Sequence, residues 1–250
     1  MIEEILDIPT ADGPMAVITK RPETDAPLPV VLLFHDGPGI RAATHETVHR
    51  IAKSGYYVLA PDRYHRFGQF IHVPPEDLIA AGRDSTLMRD FFQMVTATTD
   101  DLVRTDVTAL LDHLAADPAA KQSSMGCIGY CNGARAVLQT MSDHADIFTA
   151  GAGLHPSFCV SPEANSPHKT VANAKGEFYF AIGKADHIAS AEHNQPLIDE
   201  LQKLGPRATV DILPNADHGF AVPGPTYHAP AATHAHRKAL TLFNRTLNPA

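Results

Sequence analysis

Gly129-Tyr130-Cys131-Asn132-Gly133 is the stretch that decides the fold of this chain. It follows the apolar residues 125–128 and precedes the helix-forming residues 134–138, so we predict a strand, a tight turn and the start of a helix. The two glycines let neighbouring backbone pass close to the turn, while the residue at its tip is held in strained geometry with its side chain projecting. The pattern is that of a nucleophile elbow, G-x-S-x-G, with Cys131 in the position of the serine.

Strands and helices alternate on both sides of this elbow. Besides the elbow strand we predict strands at residues 2–8, 14–19, 30–34, 56–60, 148–154, 177–183 and 209–213, and helices at 42–54, 84–94, 100–116, 191–204 and 229–247. This rhythm indicates an α/β fold with a mostly parallel central sheet of about eight strands and helices on both faces. Residues 63–97 depart from the rhythm, and a long excursion after a strand is where a pocket wall usually lies.

Composition limits the classes of function. With 250 residues, 44% hydrophobic and 19% charged, the chain is expected to form a single domain over residues 1–250. A formal net charge of -8 argues against a nucleic-acid or anionic-membrane partner and favours a small-molecule substrate, while the oligomeric state stays open. The first residues do not resemble a signal peptide, and no apolar run reaches the ~20 residues of a membrane span, so we expect a cytoplasmic protein. Of the three cysteines, Cys127 and Cys159 are expected to be buried and structural.

Two later loops carry the groups that a cysteine nucleophile needs, a base and an acid that orients the base. Asp186 follows the predicted strand at 177–183, and His218 follows the one at 209–213. The order nucleophile, acid, histidine, each just after its own strand, is that of the α/β-hydrolases. Asp217 competes with Asp186 for the role of the acid, and position after a strand favours Asp186.

A fourth loop, at residues 35–39, follows the strand at 30–34. In this fold an oxyanion is held by the backbone N–H of the residue after the nucleophile and by a second N–H from the loop after an early strand. The corresponding residues here are Asn132 and Gly37. Removing one such donor typically costs ~100- to 1000-fold in rate, so the presence of this loop favours acyl transfer.

The sequence resembles the dienelactone hydrolase family through residues 30–37, 55–66, 127–136, 183–186 and 218–220. The resemblance implies a triad of Cys131, Asp186 and His218 that requires no metal or cofactor. It also implies that Asp36 stands where the family has a glutamate proposed to receive the thiol proton. Arg83 falls where the family has an arginine that holds a substrate carboxylate, but Val222 stands where lactone-cleaving members have a second arginine.

The function predicted is hydrolysis of a small ester or lactone through a thioester acyl-enzyme. Two alternatives stay open. His45-Glu46-Thr47-Val48-His49 matches H-E-x-x-H, which on a helix would place two zinc ligands and a base for a metallopeptidase. Alternatively, the departures at Asp36 and Val222 would suit a catalytically silent hydrolase-fold protein that binds a ligand. The remaining histidines are expected to be surface or packing residues, among them His228, His234 and His236.

Overall fold

A computed structural model describes residues 1–247, and within them eight strands form one sheet. The strands are β1 (Ile2–Thr10), β2 (Gly13–Arg21), β3 (Val30–Phe34), β4 (Tyr57–Pro61), β5 (Met125–Tyr130), β6 (Phe148–Leu154), β7 (Glu177–Gly183) and β8 (Ala208–Leu213). Their order across the sheet is β1-β2-β4-β3-β5-β6-β7-β8. β1 pairs with β2 and β2 with β4 in antiparallel fashion, and every later pair is parallel. The predicted fold class is therefore confirmed.

Helices cover both faces of the sheet. They are α1 (Ala42–Ala52), α2 (Pro75–Ala81), α3 (Thr86–Ala97), α4 (Asp100–Ala116), α5 (Gly133–Asp143), α6 (Pro167–Thr170), α7 (Gln195–Lys203) and α8 (Ala229–Leu247). Apolar side chains of α1 and α8 form the core on one face, and those of α4, α5 and α7 form the core on the other. None of the helices in residues 1–247 combines the length and apolarity needed to cross a membrane.

The central strands show why the sheet has two cores. All five residues of β3 and all six of β5 are buried, as expected of parallel strands covered on both faces. Within β3, Val31 and Leu33 belong to the core under α1 and α8, whereas Leu32 and Phe34 belong to the opposite core. Successive side chains of a strand point to opposite faces, so an unbroken apolar run supplies both cores.

The structure differs from the predicted elements in several places, and one of them is the short helix α6, which was not predicted. The excursion at residues 63–97 contains two helices, α2 and α3, where we predicted one. The helix predicted at 191–204 begins at Gln195, with Pro196 in its first turn. Proline lacks an N–H group and clashes with the preceding turn, so it is tolerated at the start of a helix and not inside it.

The parallel strands bring four loops to one edge of the sheet. The loop at residues 35–39 follows β3, and Cys131 directly follows β5. Asp186 comes three residues after β7, and His218 comes five residues after β8. Because the carboxyl ends of parallel strands lie at the same edge, the fold positions these groups to meet there.

Candidate active site

Cys131 lies at the tip of the turn between β5 and α5, in left-handed backbone geometry with φ of 54°. The two glycines of the elbow make this turn possible. A Cβ on Gly129 would collide with the backbone of Gly133, and a Cβ on Gly133 would collide with the carbonyls of Phe34 and His35. The elbow is therefore packed backbone against backbone, and the strained residue at its tip projects toward the site.

The structure brings Cys131, His218 and Asp186 together. The Cys131 Sγ is 3.1 Å from His218 Nε2, and His218 Nδ1 is 2.8 Å from Asp186 Oδ2. Asp186 is buried, and its other oxygen accepts the backbone N–H groups of Ile188 and Ala189. These bonds fix the carboxylate, which in turn fixes the orientation of the imidazole.

Asp217, the competitor of Asp186, makes different contacts. Its Oδ1 accepts the backbone N–H of His218 at 2.6 Å and lies 2.7 Å from His187 Nδ1. Asp217 therefore contacts the main chain of His218 and not its ring, so Asp186 alone of the two carboxylates bonds to the imidazole.

The charges of the site favour a thiolate beside an imidazolium. Burial raises the pKa of the Cys131 thiol, but the charge of His218 and the hydrogen bonds from His218 and Ser157 outweigh it, so the net shift is downward. Burial likewise opposes a charged His218, yet the Cys131 thiolate and the Asp186 carboxylate raise the pKa of the imidazole to about 10. A charged pair of this kind is an activated form of a cysteine nucleophile.

Ser157 and His155, which follow β6, complete the surroundings of the triad. Ser157 Oγ is 3.1 Å from Cys131 Sγ, and its backbone N–H donates to the Cys131 carbonyl. The His155 ring packs edge-on against the His218 ring, with 5.2 Å between centroids. Burial keeps the pKa of His155 well below its usual value, so its ring is neutral and adds no charge beside His218.

The loop after β3 is braced by two residues that follow β4. Tyr64 donates its hydroxyl to the Gly37 carbonyl at 2.9 Å, and the Arg63 guanidinium donates to the His35 carbonyl at 3.1 Å. His35 is buried and neutral, because burial lowers its pKa to about 3, and its Nε2 accepts the backbone N–H of Arg63. In residues 1–247 the backbone N–H groups of Gly37 and Asn132 donate to no protein acceptor, so both predicted oxyanion donors are available.

Asp36 contacts Arg41 and not the sulfur. Its two carboxylate oxygens accept from the two terminal nitrogens of Arg41, at 2.5 and 2.7 Å. Such a bidentate pair holds both partners strongly. In the described part of the chain no hydrogen bond joins Asp36 to Cys131, so the predicted acceptance of the thiol proton has no geometric support here.

Arg83 was expected to hold a substrate carboxylate, and Val222 to leave the position of the family's second arginine without a charge. Arg83 is exposed between α2 and α3, and it forms no hydrogen bond or ion pair with any site residue of the described chain. Val222 is 7% exposed and packs in the apolar core beneath α8. The structure therefore brings neither position into contact with the triad.

The predicted zinc motif lies on α1, away from the triad. His45 is half-buried and its Nδ1 is 3.4 Å from Glu3, while Glu46 and His49 are exposed. No group of three potential ligands, such as zinc requires, occurs in residues 1–247. The motif lies on an amphipathic helix, and both histidines are on the side of α1 that is not fully buried.

A family model described as "Dienelactone hydrolase family" matches residues 15–247 of the chain. The chain belongs to the dienelactone hydrolase family. A carboxymethylenebutenolidase of Pseudomonas putida is 26% identical, with 96% of this chain and 95% of the relative covered. The prediction of a hydrolase of this family is thereby confirmed.

Solved structures show the same fold. A "putative dienelactone hydrolase" from Klebsiella pneumoniae superposes with a TM-score of 0.83 at 20% identity and covers 98% of each chain. A dienelactone hydrolase-like promiscuous phosphotriesterase from metagenomic libraries has a TM-score of 0.74 at 21% identity, covering 98% of this chain and 99% of its own. Both likenesses cover 98% of this chain, so they show the same fold over nearly its whole length.

Four side chains near the triad were given no place there by the sequence analysis. His155 and Ser157 lie just past β6, at the same sheet edge as the other site loops, and this position was a usable signal. Arg63 and Tyr64 lie in a stretch that carried the family resemblance, but their contacts cross from the loop after β4 to the loop after β3. No spacing rule along the chain reports such a contact. Cys127 and Cys159 are fully buried, as predicted.

Proposed function

We propose that this member of the dienelactone hydrolase family cleaves a small ester or lactone through Cys131 and a thioester acyl-enzyme. One observation carries the proposal: the Cys131 sulfur, the His218 ring and the Asp186 carboxylate form a continuous chain of contacts of 3.1 and 2.8 Å. A base within hydrogen-bond reach of a nucleophile, itself held by a third group, is the arrangement that acyl transfer requires.

The first half of the reaction forms the thioester. The Cys131 thiolate attacks the substrate carbonyl carbon, a C–S bond forms, and the carbonyl electron pair moves to oxygen. The backbone N–H groups of Gly37 and Asn132 stabilise this oxyanion. As the intermediate collapses, the bond to the leaving oxygen breaks, and that oxygen takes the proton of the His218 imidazolium.

The second half releases the acid. Neutral His218 removes a proton from water, and the resulting hydroxide attacks the thioester carbonyl. Collapse of the second intermediate expels the Cys131 thiolate and frees the carboxylic acid, which restores the thiolate–imidazolium pair. Asp186 holds the imidazole in the required tautomer and stabilises its charged form in both halves.

Turnover of p-nitrophenyl acetate and of a dienelactone tests the nucleophile. We expect Cys131→Ala to lower kcat by about 10³-fold or more, since a triad member is lost. Acid-quenched wild-type protein should carry the acyl group on the peptide containing Cys131 in mass spectrometry. Unchanged turnover in Cys131→Ala would overturn the proposal.

The assignment of the acid is tested by a matched pair of variants. Asp186→Asn should lower kcat by about 10³- to 10⁴-fold, because the amide no longer holds the correct imidazole tautomer. Asp217→Asn, which alters only a contact to the backbone of His218 and to His187, should cost less than about tenfold, the effect expected of a small displacement of the loop. A larger loss in the second variant would contradict the assignment.

The two alternatives predict different results. A zinc peptidase would lose activity on chelation and in His45→Ala, whereas the thiol hydrolase keeps its esterase activity in both tests. A silent binding protein would turn over neither substrate although folded. A small-molecule ester or lactone is thus the proposed partner, and location in the cytoplasm stays a prediction.

A further inference from the structure

Arg63 is a buried cation beside the loop at residues 35–39, here called the oxyanion loop because it carries the predicted donor Gly37. The residue is 4% exposed. Its Nη1 donates to the Asn132 side-chain oxygen at 3.2 Å and to the His35 carbonyl at 3.1 Å. These two acceptors belong to the two segments that supply the predicted oxyanion donors. The guanidinium therefore contacts both segments that carry the predicted oxyanion donors.

No carboxylate of residues 1–247 forms an ion pair with this charge. Within residues 1–247 no acidic oxygen lies within 4.0 Å of the Arg63 guanidinium, and its buried Nε has no hydrogen-bond partner. The neighbouring Arg66, by contrast, is paired with both Asp106 and Asp12. Burying an unpaired charge costs several kcal/mol, so such groups are rare without a compensating anion.

The Cys131 thiolate is an anion within electrostatic reach of Arg63. Burial lowers the pKa of Arg63, and Tyr64, Cys131 and Asp106 oppose that shift, in that order. Tyr64 keeps its proton because burial raises its pKa, so Cys131 is the first of these three groups that can carry a negative charge near neutral pH. The other charged groups facing the sulfur are His218, whose imidazolium pairs with it, and Asp36, whose carboxylate is neutralised by Arg41. Arg63 is thus a cation of this site that forms no ion pair with a carboxylate in residues 1–247; Asp106, which is paired with Arg66, acts on it only from beyond ion-pair distance.

We propose that Arg63 is a positioning residue of this active site, which holds Asn132 in place and supplies the positive charge that balances the thiolate and the oxyanion. The proposal rests on the thiol-hydrolase function proposed above. A fixed charge in a buried site needs no reorganisation as the reaction proceeds, and such preorganised groups are the most effective stabilisers of a developing anion. The same charge favours the thiolate before substrate binds.

The pH dependence of Cys131 alkylation by iodoacetamide tests this charge without any ester. Arg63→Met and Arg63→Gln should both raise the thiol pKa by about one unit, which lowers the alkylation rate about tenfold on the acid side of the profile. Arg63→Lys keeps the charge and should retain a thiol pKa close to that of the wild type. Arg63→Gln can still donate to Asn132, so it separates charge from hydrogen bonding if Arg63→Met fails to fold.

Turnover of p-nitrophenyl acetate gives the second measurement. The two neutral variants should lose about 10- to 100-fold in kcat with little change in KM, a smaller loss than that of a direct oxyanion donor. Arg66→Met is the matched control, because it removes an arginine from the same loop whose charge is already paired. It should leave the thiol pKa unchanged and keep kcat within about twofold of wild type, as expected of a cation paired away from the sulfur.

Three outcomes would overturn the proposal. An unchanged thiol pKa in Arg63→Met and Arg63→Gln would show that the charge does not act on Cys131. Equal losses in Arg63→Lys and Arg63→Gln would show that charge is not the relevant property. A rise in KM confined to a carboxylate-bearing lactone would make Arg63 a substrate anchor. Because alkylation needs no turnover, a protein without esterase activity would refute the proposed function and still test the effect of Arg63 on the thiol.

Discussion

The Cys131 sulfur has two polar neighbours at the same distance, and only one of them is the expected base. His218 Nε2 and Ser157 Oγ both lie 3.1 Å from Sγ. A thiolate accepts hydrogen bonds, so the Ser157 hydroxyl donates to it. Ser157 is 3% exposed, which makes that bond stronger than it would be in water. Each donor to the charged form lowers the pKa of the thiol.

At the scale of one residue we therefore expect Ser157→Ala to raise the pKa of Cys131. The midpoint of the thiolate's ultraviolet absorbance against pH should shift upward by about 1 to 2 units, the value of one hydrogen bond to a charged group. Ser161→Ala, in the same loop, is the control and should titrate as the wild type. A titration curve for Ser157→Ala that overlays the wild type would refute this role of the hydroxyl.

At the scale of elements, the elbow works because β5, α5 and the loop after β3 approach without side chains between them. Gly133, the first residue of α5, faces the carbonyls of Phe34 and His35. The loop after β3 is held from the other side by Tyr64. The nucleophile and the oxyanion loop are therefore set against each other by backbone contact, and a shift of one element displaces both.

Gly133→Ala should destabilise this junction. The added Cβ meets backbone atoms that cannot move aside, so we expect a loss of at least about 1–3 kcal/mol in the free energy of unfolding. Gly224→Ala is the control, because a Cβ there meets only a carbonyl at 3.9 Å. Urea unfolding of both variants measures the difference. Equal midpoints would show that the elbow tolerates a side chain at this position.

At the scale of the whole molecule, the fold buries neutral histidines on the α1 and α8 side of the sheet as well as in the site. His236 Nε2 lies 2.9 Å from the Tyr130 hydroxyl, and His236 Nδ1 lies 2.9 Å from Arg50 Nη1. Burial, followed by the charge of Arg50, lowers the pKa of His236 to about 4. His35, the first residue of the oxyanion loop, has a pKa of about 3, and the main cause is again burial. Unfolding in acid lets both rings take up a proton.

Proton uptake on unfolding sets the sign of the pH dependence of stability. The folded pKa of His236 lies below the reference value of 6.5, so its stabilising contribution is complete above pH 6.5 and is lost as pH falls toward about 4. Between those two pH values, protonation of His236 on unfolding lowers the free energy of unfolding by up to about 1.4 kcal/mol for each pH unit. His218, whose pKa is raised from 6.5 to about 10, stays protonated in the folded protein throughout this range. Its unfolded form is also mostly protonated below about pH 5.5, so His218 adds little slope there.

We expect His236→Gln to weaken the fall of Tm between about pH 6.5 and about pH 4.5, because one of the rings that take up a proton on unfolding is removed. His193→Gln, at an exposed position, is the control and should keep the wild-type slope. Differential scanning calorimetry at several pH values measures both. A slope in His236→Gln as steep as that of the wild type would contradict the assignment of this ring as a neutral, buried group.

Local patterns determined much of this protein. The unbroken apolar runs of β3 and β5 indicate a sheet covered on both faces, and the glycines around Cys131 permit the tight turn there. The order of Cys131, Asp186 and His218 is that of the α/β-hydrolases. Their placement after parallel strands brings them to one edge, because the carboxyl ends of those strands share an edge.

Only the tertiary structure decided which side chains are paired with one another and which of them contact the site. Asp36 and Arg83 were assigned roles by analogy; in the structure Asp36 pairs with Arg41 and Arg83 is exposed, so both roles stay predictions. Val222, predicted to leave the family's second arginine position without a charge, lies in the core beneath α8. Ser157 and Arg63 reach the site through contacts between loops far apart in the chain. The physical reason is that a side chain's partner depends on packing in three dimensions, whereas periodicity and spacing report only the backbone that carries it.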